Sequence, residues 1–186
     1  AANRTPIETM TELQEKRSPC RSALIVGAGI GGLSAGIALR QAGWKVRIFE
    51  RAASPRELGF GLGLAPNAIA ALRDLGIADV VLAQSAAPRR GELRRPDGTV
   101  LKRIELAPGA LGGPMVLALR PALHGALLHA VGLDTVTFSA AATGFTTTDD
   151  RVLLNVRRGS TTVAADADLL VGADGVGSVV RQALHP

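Results

Sequence analysis

With Cys20 as its single cysteine, the 186-residue chain can form no internal disulfide and has no Cys/Cys or Cys/His metal spacing. A reducing compartment suits such a chain, and a cytoplasmic location is expected. The three histidines, His124, His129 and His185, form neither a triad nor a ligand pattern, so no metal centre is expected. Two of them, His124 and His129, fall on one predicted helix, where a surface or half-buried role is the default. Aromatic residues are also scarce, with one Trp, four Phe and no Tyr. Little is therefore available to stack on bases, and no tyrosine can orient a phenol. The formal charge is +5 and the pI near 10.6. Apart from Arg89, Arg90, Arg94, Arg95, Lys102 and Arg103 the basic residues are scattered, which fits a solvated face better than a nucleic-acid partner. A long apolar helix is missing as well. Ser22 to Leu39 carries no charge, but Gly27, Gly29, Gly31, Gly32 and Gly36 interrupt it, so no membrane span is expected.

What is present is globular composition, 47% hydrophobic and 20% charged. Residues 1–21 are polar and read as a loose extension; residues 22–186 read as one domain with one core. That domain begins with ALIVGAGIGGLSAGIALRQAGWKVRIFE. Ala23 to Val26 is a short apolar run of the kind buried on both faces of a parallel sheet. Gly27-x-Gly29-x-x-Gly32 turns the chain into a helix that ends near Gly43, and Lys45 to Glu50 forms a second strand. This βαβ unit has dinucleotide-binding spacing. Gly27 serves the sharp turn, Gly29 lets a pyrophosphate approach the backbone, and Gly32 lets the helix pack closely. The helix start, at Ile30 and Gly31, presents unpaired N–H groups and a positive dipole end to an anion. Glu50 can accept hydrogen bonds from both hydroxyls of an adenosine ribose, and its charge favours that diol over a 2′-phosphate, although Arg51 softens the repulsion. The spacing alone does not separate NAD from FAD.

Beyond Glu50, a glycine-rich loop with Gly59, Gly61 and Gly63 allows close approach to a flat ligand. Pro66 then starts a helix that runs to Leu75 and stops at Gly76. Arg90 to Arg95 and Thr99 to Glu105 flank the turn Pro96-Asp97-Gly98 and predict a β-hairpin. Pro108 to Pro114 is a connection, followed by a strand from Met115 to Leu119 and a helix starting at Pro121, with Leu123, Leu127 and Leu128 on its core face. Thr135 to Phe138 predicts a third parallel strand. Ala140 to Thr148, Arg151 to Arg157 and Thr161 to Ala165 predict a three-stranded meander. Asp168 to Val171 returns to the sheet and leads into GADGVGSVVRQAL, where Asp174 can hold the loop by bonding nearby N–H groups and Val176 to Leu184 is helical.

Glu50-Arg51, the Gly-x-Gly loop, Leu64-x-Pro66-Asn67-Ala68 and the helix ending Leu75-Gly76-Ile77 together resemble the class A FAD-dependent monooxygenases. That family includes salicylate- and p-hydroxybenzoate-type aromatic hydroxylases. Arg120, Leu123 and Leu127 match its Arg-x-x-Leu-x-x-x-Leu segment, whose arginine lies against the FAD. Gly172-Ala173-Asp174-Gly175-x-x-Ser178-x-x-Arg181 matches a second signature, which serves the flavin and the nicotinamide nucleotide's pyrophosphate. The resemblance implies a Rossmann-like FAD-binding α/β domain, FAD as cofactor, NADH or NADPH as co-substrate and a small aromatic substrate. The cofactor-binding set is then Gly27, Gly29, Ile30, Gly31, Gly32, Glu50, Arg51, Gly61, Arg120 and Asp174, with no catalytic residue assigned. A nucleotide-binding module without turnover and an NAD-dependent oxidoreductase stay open. The family's third signature begins Gly-Asp, and no Gly-Asp pair occurs in this sequence. Without the segments that follow it, apolar surface on the parallel sheet and on the last helix is expected to lie uncovered, and a homodimer or completion by a second polypeptide is expected.

Overall fold

The computed structural model describes residues 21–55, 60–105, 113 and 115–185. The expected extension up to Cys20, Gly59, and all of the 108–114 connection except Gly113 lie outside the described residues. The architecture is α/β, with a parallel sheet, a meander and a hairpin, as the sequence predicts. Four parallel strands form the central sheet: β1 (Ser22–Val26), β2 (Lys45–Phe49), β7 (Val136–Thr137) and β11 (Leu169–Gly172), in the order β11-β1-β2-β7.

The sheet is covered on both faces because β1 alternates. Ile25, with Ile48 of β2, faces α1 (Ile30–Gln41) and α4 (Arg120–Val131), where Leu33, Ile37, Leu127 and Val131 complete one core. Leu24 and Val26, with Phe49, face the meander of β8 (Ala141–Thr147), β9 (Val152–Arg158) and β10 (Thr161–Ala167), where Val152, Leu154, Val156 and Ala167 complete a second. This is the period-two pattern of a strand buried on both sides. Each fully buried Leu or Ile here contributes about 1.5–3 kcal/mol of transfer free energy. Arg40, in the last turn of α1, donates to the Val131 carbonyl and, at 2.8 Å, to Thr135 Oγ1, which ties α1 to the end of α4.

Several elements differ from expectation. The Gly61/Gly63 stretch is not a loop but strand β3 (Gly61–Leu64), paired antiparallel with β6 (Val116–Leu119). Leu64 packs inward with Val116 and Ala118, a partnership across the chain that glycine-poor strand propensity conceals. The helix α2 (Pro66–Asp74) is followed by an unanticipated short helix α3 (Ala78–Ala83). The third strand shrinks to β7 behind a 3-10 turn at Leu133–Thr135. The last helix, α5, spans only Val179–Leu184, because Ser178 caps it by accepting from the Arg181 N–H at 3.0 Å.

The expectation of an uncovered sheet face is corrected by the two cores, although Val176 on the loop before α5 and Leu184 at its end are exposed as expected. The hairpin of β4 (Arg90–Arg94) and β5 (Val100–Glu105) carries much of the basic cluster. There Glu92 bridges Arg94 and Arg103, and the bond from Arg94, then that from Arg103, hold its carboxyl below the usual range. Among the described residues no helix is long and apolar enough to cross a membrane.

Asp168 closes the sheet at its lower end. Its Oδ2 accepts from the Ser22 N–H at 2.7 Å and the Ser22 hydroxyl at 2.8 Å, and its Oδ1 accepts from Arg151 at 3.1 Å. The Ser22 bonds first, and Arg151 after them, lower the Asp168 carboxyl from its ordinary value. A carboxyl with a lower pKa folded than unfolded stabilises the fold above its ordinary value, and the unfolded state takes the proton first as pH falls. The stabilisation is therefore present at neutral pH and lost below about pH 4. Thermal unfolding followed by circular dichroism should show a shallower fall in Tm between about pH 4.5 and pH 3 for Asp168→Asn than for the parent chain.

Candidate functional site

The β1–α1 turn divides its glycines into two kinds. Gly27 has φ +100°, and a Cβ there would lie 2.4 Å from the Ala173 carbonyl oxygen; a Cβ on Gly32 would lie 1.9 Å from the Gly27 oxygen. These two are demanded by the protein's own packing. Gly32 packs on the turn rather than on the strand, and the contact with the sheet falls to Gly36, whose Cβ would lie 2.9 Å from Ile48 Cδ1. At Gly29 and Gly31 a Cβ would meet nothing within 4 Å. Gly29 is the N-cap of α1 and offers no side-chain bond, and the first helical bond runs from the Leu33 N–H to the Gly29 oxygen at 3.0 Å. The N–H groups of Gly29, Ile30, Gly31 and Gly32 find no acceptor among the described residues. Four donors, a positive dipole end and open space together suit a phosphate group.

Glu50 follows β2. Its N–H donates to the Thr137 oxygen at 2.9 Å and its carbonyl accepts from the Ala140 N–H at 2.8 Å, so the backbone is clamped between β7 and the start of the meander. The side chain does more than the sequence suggested. Oε2 accepts from the Ala28 N–H at 2.9 Å and Oε1 from the Ala52 N–H at 2.8 Å. Two backbone donors leave about half of a carboxylate's lone-pair capacity free, enough for two ribose hydroxyls. Glu50 therefore holds the turn as well as facing the cleft.

That cleft, of about 470 Å³, is lined by Gly27, Gly29, Glu50, Arg51, Arg120 and Asp174 among others. An adjoining hollow of about 260 Å³ shares Gly29, Glu50, Arg51 and Arg120, and adds Ala28, Ser54, His124 and Phe138. Arg120 is the first residue of α4 rather than the residue before it, and its N–H donates to the Phe60 oxygen at 3.2 Å. Asp174 is committed to its loop: Oδ1 accepts from the Ser178 hydroxyl at 2.6 Å and Oδ2 from the Val179 N–H at 2.7 Å. Arg181 turns its guanidinium to the Val176 carbonyl. Ile30, partly buried, packs its side chain on the helix-side core, so only its backbone serves the turn. Gly31 and Gly32, like Ile30, line neither space, and neither does Gly61. The β3–β6 ladder pairs it with Leu119, next to Arg120.

Two residues were not anticipated. Arg157, on β9, reaches the larger cleft from the meander side. His124, half-buried on α4, places Nε2 2.7 Å from the Ala28 oxygen. A carbonyl only accepts, so Nε2 carries the proton. The signal for His124 was available, since it stands one helical turn after Arg120 and shares its face.

Residues 21–185 match the family described as FAD binding domain. The chain belongs to that family. Aurachin C monooxygenase/isomerase of Stigmatella aurantiaca is 36% identical over 165 residues, 88% of this chain and 42% of the relative. 3-Hydroxybenzoate 6-hydroxylase 1 of Aquipseudomonas alcaligenes is 38% identical over 168 residues, 86% of this chain and 41% of the relative. Among solved structures, the tetrameric form of 2-methyl-3-hydroxypyridine-5-carboxylic acid oxygenase superposes with a TM-score of 0.77 at 32% identity, over 90% of this chain and 43% of that one. Klebsiella pneumoniae HpxO complexed with FAD and uric acid superposes with a TM-score of 0.75 at 30% identity, over 87% and 41%. The chain thus spans about two fifths of the length of the relatives it matches.

Isothermal titration with FAD, paired with thermal melts of the free protein, separates the two kinds of glycine. Gly29→Ala should leave the melt within about 0.5 kcal/mol of the parent while weakening FAD. Gly32→Ala should destabilise the free protein itself by roughly 1–3 kcal/mol, since backbone cannot yield to a methyl at that distance. Glu50→Ala should do both, because the N–H groups of Ala28 and Ala52 lose their acceptor.

Proposed function

We propose that this chain is the FAD-binding part of a cytoplasmic flavoprotein monooxygenase that uses NADH or NADPH and O2 to hydroxylate a small aromatic substrate. The observation that carries the cofactor assignment is the pairing of four N–H groups at the start of α1, unpartnered among the described residues, with a carboxylate held at the end of β2. One end of the cleft suits a pyrophosphate and the other a ribose diol. When bound, the flavin supplies hydride acceptance and activation of O2. The chain's own residues bind and orient: the turn N–H groups take the pyrophosphate, Glu50 takes the ribose, and Arg51 and Arg120 place positive charge along the cleft. Asp174 and Ser178 shape the loop opposite. Gly61 contributes backbone beside Arg120 rather than a wall of the cleft.

The proposed domain runs from residue 22 to 186, with residues 1–21 as an extension. A second copy or a further polypeptide segment completes the substrate pocket. One observation favours a second reading, an FAD-binding module without turnover of its own: Glu50, Asp174 and His124 all bond backbone or side-chain groups of the protein.

Flavin absorbance and oxygen consumption together test these assignments. The purified 186-residue chain should carry a flavin spectrum or regain one with added FAD. With NADH and a panel of hydroxybenzoates it should consume oxygen slowly and release peroxide without ring-hydroxylated product. Binding of NADH with no affinity for FAD would overturn the cofactor assignment, and coupled product would overturn the module reading.

A further inference from the structure

The Ala28 residue is held at both of its peptide planes by side chains from elsewhere in the fold. The plane before it is fixed by Glu50, which accepts from the Ala28 N–H at 2.9 Å. The plane after it is fixed by His124, whose Nε2 donates to the Ala28 oxygen at 2.7 Å. In a trans peptide the carbonyl and the following N–H point in opposite directions, and no cis peptide occurs among the described residues. Holding the Ala28 carbonyl toward α4 therefore sets the direction of the Gly29 N–H, which has no acceptor among the described residues. The helix itself does not supply this restraint, because its first bond is made one residue later, at the Gly29 oxygen.

We infer that His124 is a positioning residue for the cofactor, acting through the Ala28 carbonyl to aim the Gly29 N–H at the pyrophosphate. The inference rests on the FAD assignment above. It also gives α4 a second task. Arg120 and His124 are one turn apart on one helical face, so the bond that aims the Gly29 N–H also holds the start of α4, with Arg120, against the turn. His124 is half-buried, with the open hollow on one side and the turn on the other, so it reaches the turn without occupying the space left at Gly29. Preorganised donors bind charge without reorganising when the ligand arrives, which is where the benefit to affinity arises.

A histidine that merely filled space or satisfied a carbonyl would affect every ligand alike. A positioning role discriminates between ligands with and without the pyrophosphate. Calorimetric titrations of the 186-residue chain with FAD and ADP, and an NMR titration with adenosine, read this out directly. His124→Ala should weaken FAD and ADP about five- to tenfold while adenosine changes by less than about twofold, the scale expected for one net hydrogen bond. His124→Gln, whose amide nitrogen can reach the same carbonyl, should restore most of the loss. In the free protein, the Gly29 amide 15N resonance should move in His124→Ala and return toward its position in His124→Gln.

If His124→Ala does not fold by circular dichroism, the comparison is made between His124→Gln and His124→Leu, which keeps bulk and lacks the donor. Equal loss for ADP and adenosine, an unchanged Gly29 resonance, or no loss at all would overturn the inference. A parent chain that binds neither FAD nor ADP would count instead against the FAD assignment.

Discussion

At the turn from β1 into α1 the backbone passes so close to the Ala173 carbonyl and to itself that Gly27 and Gly32 admit no side chain. The rest of the fold depends on that proximity. Ala173 follows β11, so the end of the last strand is locked to the end of the first, and the Ala173 N–H donates to the Val26 oxygen at 2.8 Å. Because backbone rather than side chain fills the space, the turn can be both tightly packed at Gly27 and Gly32 and open at Gly29 and Gly31. Tightness on one side and vacancy on the other are the same geometric solution.

Around this turn the polar side chains act first on the protein. Glu50 ties β2 to the turn, His124 ties α4 to it, and Asp174 ties the β11–α5 loop to the start of α5. Each is oriented by bonds within the protein. Such a site is rigid where charge must be met and exposed at Arg51, Arg120 and Arg157, where long flexible side chains can adjust.

Much of this was legible in the sequence, for reasons tied to particular residues. The run Ala23 to Val26 announced a strand buried on both faces, and the structure uses its alternation to face two cores. Pro96-Asp97-Gly98 announced the hairpin, and Asp174, expected to hold its loop through nearby N–H groups, accepts from the Val179 N–H and also from the Ser178 hydroxyl. The failures share a cause. Strand β3 looked like a loop because its glycines have little intrinsic preference for a strand, and only the distant partner β6 imposes one. The double duty of Glu50 and the latch of His124 were invisible because each depends on where a backbone amide or carbonyl from another element comes to rest. Spacing in a sequence records which residues share a face, but not which peptide group that face will meet.

The bond between Ser22 and Asp168 has a consequence for how the chain reaches its native state. The strand β1 is central, and one of its two neighbours, β11, is the last of the described strands. On a ribosome, β1 and β2 can pair through α1 early, but one edge of β1 has no partner until β11, at Leu169–Gly172, has emerged. Pairing between segments as far apart in sequence as Ser22 and Asp168, 146 positions, raises contact order and slows closure. During that interval the half-covered strand, with Leu24 and Val26 still awaiting the meander, is a surface that a chaperone would recognise and that neighbouring nascent chains would find sticky.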